Sequence, residues 1–233
     1  LSQALRSGQC PEGLSIGLGG NQIEAAGVGY LSQALMSGRC PKGLHIDFSE
    51  NKIIDEGVGY LSQALMSGRC PQGLQVNLGW NVIGAEGVRF LSEALQSGQC
   101  PEGLRINFCA NEIGVEGVRH LSKALESGHC PKYFCINFAR NYIGVEGTGY
   151  LSEALRSGNC PQGFQINLRY AEIAEEGVND LARSLIGQEL KGYQIRVDPP
   201  YQPIIDQVLS VDNKLKLLCA PLTQLGRQRS LPD

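Results

Sequence analysis

The chain has 233 residues, with 20 basic against 23 acidic side chains and a net charge of −3. That balance excludes the strongly basic field of a nucleic-acid-binding domain and gives no reason to expect an anionic membrane surface as partner. No run approaches the roughly eighteen apolar residues of a membrane span, and the first residues lack a basic-then-apolar leader pattern. Because Leu1 opens in the middle of a repeat, residues are expected to precede it in the natural protein.

Leu1-Ser2-Gln3-Ala4-Leu5 returns, identically or with one change, at Leu31, Leu61, Leu91, Leu121 and Leu151, so the period is thirty residues. A fixed period of this size means a solenoid, in which units that cannot bury their apolar faces alone stack into one elongated core. Within the second full unit, Leu44, Ile46 and Phe48 alternate with His45, Asp47 and Ser49, which predicts a short strand with one face buried. Asn51 then turns the chain, and Asn21, Asn81, Asn111 and Asn141 repeat it in register until Ala171 breaks the ladder. From Gly57 the period becomes helical, with Val58, Leu61, Ala64 and Leu65 on one stripe and Gly59, Gln63 and Met66 opposite. Glu56, Glu86, Glu116, Glu146 and Glu176 suit helix starts, Gly38, Gly68, Gly98, Gly128 and Gly158 suit left-handed helix ends, and Pro41 and its counterparts forbid continuation. Strands stack at ~4.8 Å and helices at ~8–10 Å, so the array must curve with a parallel sheet of about seven strands on the inside.

The repeats are expected to occupy residues 1–197, with a helical cap and tail at 198–233. Tyr193, Ile195 and Val197 continue the strand pattern once more, prolines at 199, 200 and 203 stop it, and Ile204 to Leu218 reads as an amphipathic helix over the last repeat. The first strand, Leu14 to Leu18, has no comparable cap, which predicts fraying or self-association through its open edge.

Six of the nine cysteines (Cys10, Cys40, Cys70, Cys100, Cys130 and Cys160) share one repeat position, which predicts a buried row of apolar thiols. No Cys-x-x-Cys pair is present to hold zinc, and no metal or cofactor site is expected. The odd total and the in-line placement point to reduced thiols and a reducing, cytoplasmic setting. Cys109 and Cys135 lie outside the row, and their offset on neighbouring strands argues against a disulfide between them.

Leu14-x-Ile16-x-Leu18-x-x-Asn21-x-Ile23, repeated from Leu44, Leu74 and Leu104 and followed by Gly-Val-x-x-Leu-x-x-Ala-Leu, resembles the leucine-rich repeat of the ribonuclease-inhibitor-like class. The departure is Gly13, Gly43, Gly73 and Gly103 at the place of the first consensus leucine. The resemblance implies an α/β horseshoe with parallel strands on the concave face, helices on the convex face, and protein binding through the concave face or its rims. Members include an activator of a small GTPase, so regulation of a small GTPase or another enzyme by binding is the alternative reading. Intracellular bacteria also carry such arrays, often of near-identical units, and Leu31 to Pro41 is repeated unchanged as Leu61 to Pro71. An effector delivered into a host cell, acting on a host protein, fits that pattern.

No catalytic constellation is recognisable: His45 and His120 lack partners at catalytic spacing, and there is no phosphate loop, Gly-x-Ser-x-Gly or His-Glu-x-x-His. The chain is therefore expected to be a non-enzymatic binding scaffold. Outward strand positions run Ser15, His45, Gln75, Arg105, Cys135, Gln165 and Gly17, Asp47, Asn77, Asn107, Asn137, Asn167; the turn-flanking sites run Gly19, Ser49, Gly79, Cys109, Ala139, Arg169 and Gly20, Glu50, Trp80, Ala110, Arg140, Tyr170. These positions vary most between copies. The candidate partner-binding residues are His45, Asp47 and Glu50 toward one end, Trp80, the single tryptophan, and Arg105, Arg140, Arg169 and Tyr170 toward the other.

Overall fold

The computed structural model describes residues 1–186 and 192–209. Its elements in chain order are α1 (Ser2–Arg6), β1 (Ser15–Gly17), α2 (Ala25–Leu35), β2 (His45–Asp47), α3 (Asp55–Met66), β3 (Gln75–Asn77), α4 (Ala85–Gln96), β4 (Arg105–Asn107), α5 (Gly114–Glu126), β5 (Cys135–Asn137), α6 (Gly144–Arg156), β6 (Gln165–Asn167), α7 (Ala174–Ser184) and β7 (Gln194–Arg196). Residues 202–209 are again helical, starting two residues before the predicted Ile204; the remainder of the predicted helix, from 210 to Leu218, lies outside the described residues. The strands form one parallel sheet in sequence order, β1 to β7. From β1 to β6 each residue lies beside its counterpart one period on, as Ile46 beside Val76 and Val76 beside Ile106. Each helix packs on its sequence neighbours, which gives the curved α/β solenoid that the repeat predicts.

The core is the stacked inner face of the units. Ile46, Val76, Ile106, Ile136 and Ile166 are buried at mid-strand, flanked by Leu44 and Phe48 or their equivalents, and Val58, Leu61, Ala64 and Leu65 close the helical side. Toward the C-terminal repeats the leucines give way to aromatics that stack between units: Phe134 on Phe164 with centroids 5.9 Å apart, and Phe164 edge-on to Tyr193 at 6.5 Å. Glycine in the first helical turn lets the helix start pack tightly against its own N-cap and the preceding helix; a Cβ at Gly117 would lie 2.4 Å from Cγ2 of the N-cap Ile113 and 3.4 Å from Cα of Ala85 on α4.

The asparagine ladder does more than turn its own repeat. Asn111 Nδ2 donates to Phe108 O at 3.1 Å and to Leu78 O, one repeat back, at 2.9 Å, while Oδ1 accepts the Ile83 N–H at 3.0 Å. Asn51, Asn81 and Asn141 likewise accept from Ile23, Ile53 and Ile113. Where Ala171 replaces the asparagine, its backbone carbonyl accepts both the Ile143 and Gly144 N–H groups at 3.0 Å.

The thiol row is in place, but only Cys130 and Cys160 are fully buried; Cys10, Cys40, Cys70 and Cys100 are half-buried. Each thiol closes a helix end. Cys70 Sγ donates to Ala64 O at 3.3 Å, the same carbonyl that accepts the Ser67 hydroxyl at 2.6 Å, so the Ser-Gly-x-Cys segment adds two side-chain donors to a last-turn carbonyl whose backbone partner is the C-cap Ser67 N–H at 3.1 Å. Burial pushes the thiols of Cys70, Cys100 and Cys130 up to about 12.

The two ends differ. Leu14, Leu18 and Ile23 of the first unit are only half-buried, whereas Leu44 and Ile53 are fully buried, because no described unit covers the outer side of β1. At the other end the helix at 202–209 seats Ile205 in the core, and Gln202 imitates a neighbouring strand: its Oε1 accepts the Val197 N–H at 2.9 Å and its Nε2 donates to Ile195 O at 3.1 Å. Unpaired backbone groups on the edge of β7 are thereby satisfied.

Candidate partner-binding surface

Alternation sends the first and third residue of every strand out of the core, so the concave wall displays the two columns read from the sequence. His45 on β2 is half-buried, with Nδ1 3.3 Å from Ser15 Oγ, and Arg105 on β4 is exposed. In the second column Asn107 Nδ2 donates to Asn77 Oδ1 and Asn77 Nδ2 to Asp47 Oδ1, both at 2.8 Å. Asp47 is thus engaged by the fold: burial pushes its carboxyl up, but donation from Ser49 and Asn77 and the nearby His45 outweigh this and hold it below the usual range. An open depression of about 290 Å³ runs from His45 to Arg105 and Asn137.

The rim beside this wall carries a recurring left-handed turn. Glu50, Trp80, Ala110, Arg140 and Tyr170 all adopt left-handed φ values between 53° and 58°. The conformation lets the chain turn inward to the asparagine while keeping one more rung with the following repeat: Trp80 N–H donates to Cys109 O at 2.8 Å and Arg140 N–H to Arg169 O at 3.0 Å. At Tyr170 the Asp198 carboxylate takes over, 2.8 Å from the N–H. Gly20 holds the same place at φ 66°, so glycine suffices for the turn, and a side chain here costs ~1–2 kcal/mol in backbone strain.

Four of these five side chains face solvent, and Ala110 is half-buried. Trp80 is 57% exposed and Tyr170 58%. Arg140 lies over the Tyr170 ring, 5.1 Å from its centroid, an attraction that pre-orders both groups. Arg169 projects next to them and is tethered by Nε donation to Val197 O at 3.3 Å. Arg140, Arg169 and Tyr170 thus form one cluster, Trp80 stands two repeats away along the same rim, and Glu50 one repeat beyond it. His45, Asp47 and Arg105 belong to the wall instead.

Sequence reasoning missed Tyr142, 67% exposed, and Val82, 50% exposed, which follow the ladder asparagines and widen the apolar rim near Arg140 and Trp80. The signal was available: each directly follows an asparagine whose side chain turns inward. It also missed Asp55, whose Oδ1 accepts the Gly84 and Gly87 N–H groups at 2.7 and 2.9 Å and so caps α4 from the preceding repeat. Nothing in the local sequence of α4 announces that.

A family model described as Leucine Rich repeat matches residues 74–92, one strand-turn-helix unit from Leu74 into α4. No curated protein matches the chain. The match and the tandem strand-helix architecture together support a leucine-rich-repeat protein. Among the described residues no helix is long and apolar enough to cross a membrane, and no cluster of His, Cys, Asp and Glu is placed to hold a metal ion.

Proposed function

We propose that this chain is a non-enzymatic scaffold that grips a partner protein between its concave wall and the adjoining rim, with Trp80, Arg140 and Tyr170 as anchors. One observation carries the reading: four rim positions that glycine would satisfy without strain hold Glu, Trp, Arg and Tyr in left-handed backbone, and the two aromatic rings are more than half exposed. Strain retained at exposed positions is typical of sites kept for their side chains, and aromatic and arginine side chains dominate binding energy at interfaces.

The thirty-residue unit with a helical second half supports the ribonuclease-inhibitor-like class, and the unchanged copy of 31–41 at 61–71 supports an effector acting on a host protein. Helix-closing thiols with no disulfide among the described residues support a reducing, cytoplasmic setting. The half-buried first unit supports self-association through β1 as a secondary property.

The test is affinity capture from host-cell lysate with wild type beside three variants. Trp80→Ala and Arg140→Glu are expected to lose a partner that Gln63→Glu, on the convex side, retains. Loss with Gln63→Glu and retention with the other two would move the site to the helices and overturn the reading.

A further inference from the structure

We infer that the C-terminal half of the concave wall, from β4 to β7, is a carboxylate-binding groove that takes an extended acidic segment of the partner protein. The inference rests on the scaffold reading above and adds the chemistry of what is bound. The outward residues of β4 to β7 include two arginines and no acid. Neither Arg105 nor Arg196 has an ion-pair partner among the described residues; the ion pairs found there use Arg89, Arg119 and Arg156, which lie on helices.

The asparagines between them are oriented as donors. Asn137 Oδ1 accepts the Ala139 N–H at 3.0 Å and Asn167 Oδ1 accepts the Arg169 N–H at 3.2 Å. Because the oxygen is used by the backbone, the amide flip is fixed, and each Nδ2 is left without an acceptor among the described residues. This separates β5 and β6 from the N-terminal half, where Asp47 and Asn77 already accept the neighbouring amides. A depression of about 210 Å³ lies between Arg105, Asn137, Asn167 and Arg196. Guanidinium and carboxamide donors converging without an acid match carboxylates, which only accept.

Spacing sets the form of the ligand. Arg105 and Arg196 are three strands apart, ~14 Å at ~4.8 Å per strand, and offset by two residues along the strand, ~7 Å, so their backbones lie ~16 Å apart on the diagonal; carboxylates at i and i+4 of an extended chain, ~14 Å apart, fall within reach of both long side chains. A carboxylate at i+2 then faces the amides of Asn137 and Asn167. Single-stranded nucleic acid, the other polyanion, is disfavoured because no outward residue of β4 to β7 is aromatic and base stacking has no platform.

The experiment is fluorescence anisotropy with a labelled peptide of alternating Glu and Thr, about nine residues long at ~3.4 Å each, beside Gln-Thr and Lys-Thr peptides and an oligouridylate of equal extended length. The Glu-Thr peptide is expected to bind saturably and the other peptides not. Arg105→Gln and Arg196→Gln are each expected to weaken it about tenfold, the loss of one charge-assisted contact, and so is added salt. Arg39→Gln and Arg69→Gln, on the loops after α2 and α3, should leave it unchanged. Circular dichroism confirms that the variants are folded. Absence of saturable binding, insensitivity to both wall variants, or tighter binding of oligouridylate would overturn the groove. If the peptide fails while partner capture still depends on Trp80 and Arg140, the groove falls and the scaffold reading stands.

Discussion

Replacing Asn111 by alanine tests the ladder at its most buried point. The side chain is 5% exposed, so water cannot replace what it supplies. Two good donor contacts disappear, to Leu78 O at 2.9 Å and Phe108 O at 3.1 Å, and the Ile83 N–H loses its acceptor at 3.0 Å inside the core. At ~1 kcal/mol for a net hydrogen bond and ~1–3 kcal/mol for an orphaned buried donor, the cost is about 3 kcal/mol. For a chain of this size that lowers Tm by about 6–12 °C. Asn21→Ala is the internal control, since the exposed Asn21 donates only to Leu18 O and Gly19 O of its own turn, and water takes its place at a cost below ~1 kcal/mol. Thermal melts followed by circular dichroism give the comparison, and hydrogen exchange reads the Ile83 amide directly. Equal melting temperatures for the two variants, or unchanged protection at Ile83, would refute the coupling of one repeat to the next through asparagine.

Three further outcomes follow from close geometry. Gly117→Ala should destabilise by about 1–2 kcal/mol, because the new Cβ falls 2.4 Å from Ile113 Cγ2 and overpacking outweighs the gain in helix propensity; Gly149→Ala, with nothing within 4 Å of its Cβ, should stabilise by up to ~1 kcal/mol, and the opposite signs are read in urea denaturation. Ser92→Ala should raise stability by about 1 kcal/mol, since the Ser92 Oγ is buried without a hydrogen-bond partner and alanine removes that unsatisfied group. Alkylation at pH 8 followed by mass spectrometry should find no disulfide among the helix-closing thiols and should modify Cys135, on the concave wall, before Cys70, Cys100 and Cys130, whose thiols are pushed up to about 12 and carry almost no thiolate at that pH.

What the sequence by itself determined is whatever repeats. The thirty-residue period, the alternation at Leu44, Ile46 and Phe48, and the helical stripe from Val58 to Leu65 are local patterns, and stacking identical units leaves one way to bury them all, so the parallel sheet and its outward columns were legible without coordinates. What repeats in sequence need not act within its own unit, and here only the tertiary structure decided. Asn111 serves the repeat before it, Asp55 caps the helix after it, and Gln202 stands in for a missing strand, because contacts between units depend on the offset of stacking and not on spacing along the chain. The rim was visible as variable positions, but its left-handed backbone was not: Glu50, Trp80, Arg140 and Tyr170 have no sequence mark of positive φ, which the surrounding rungs and the inward asparagine impose on them.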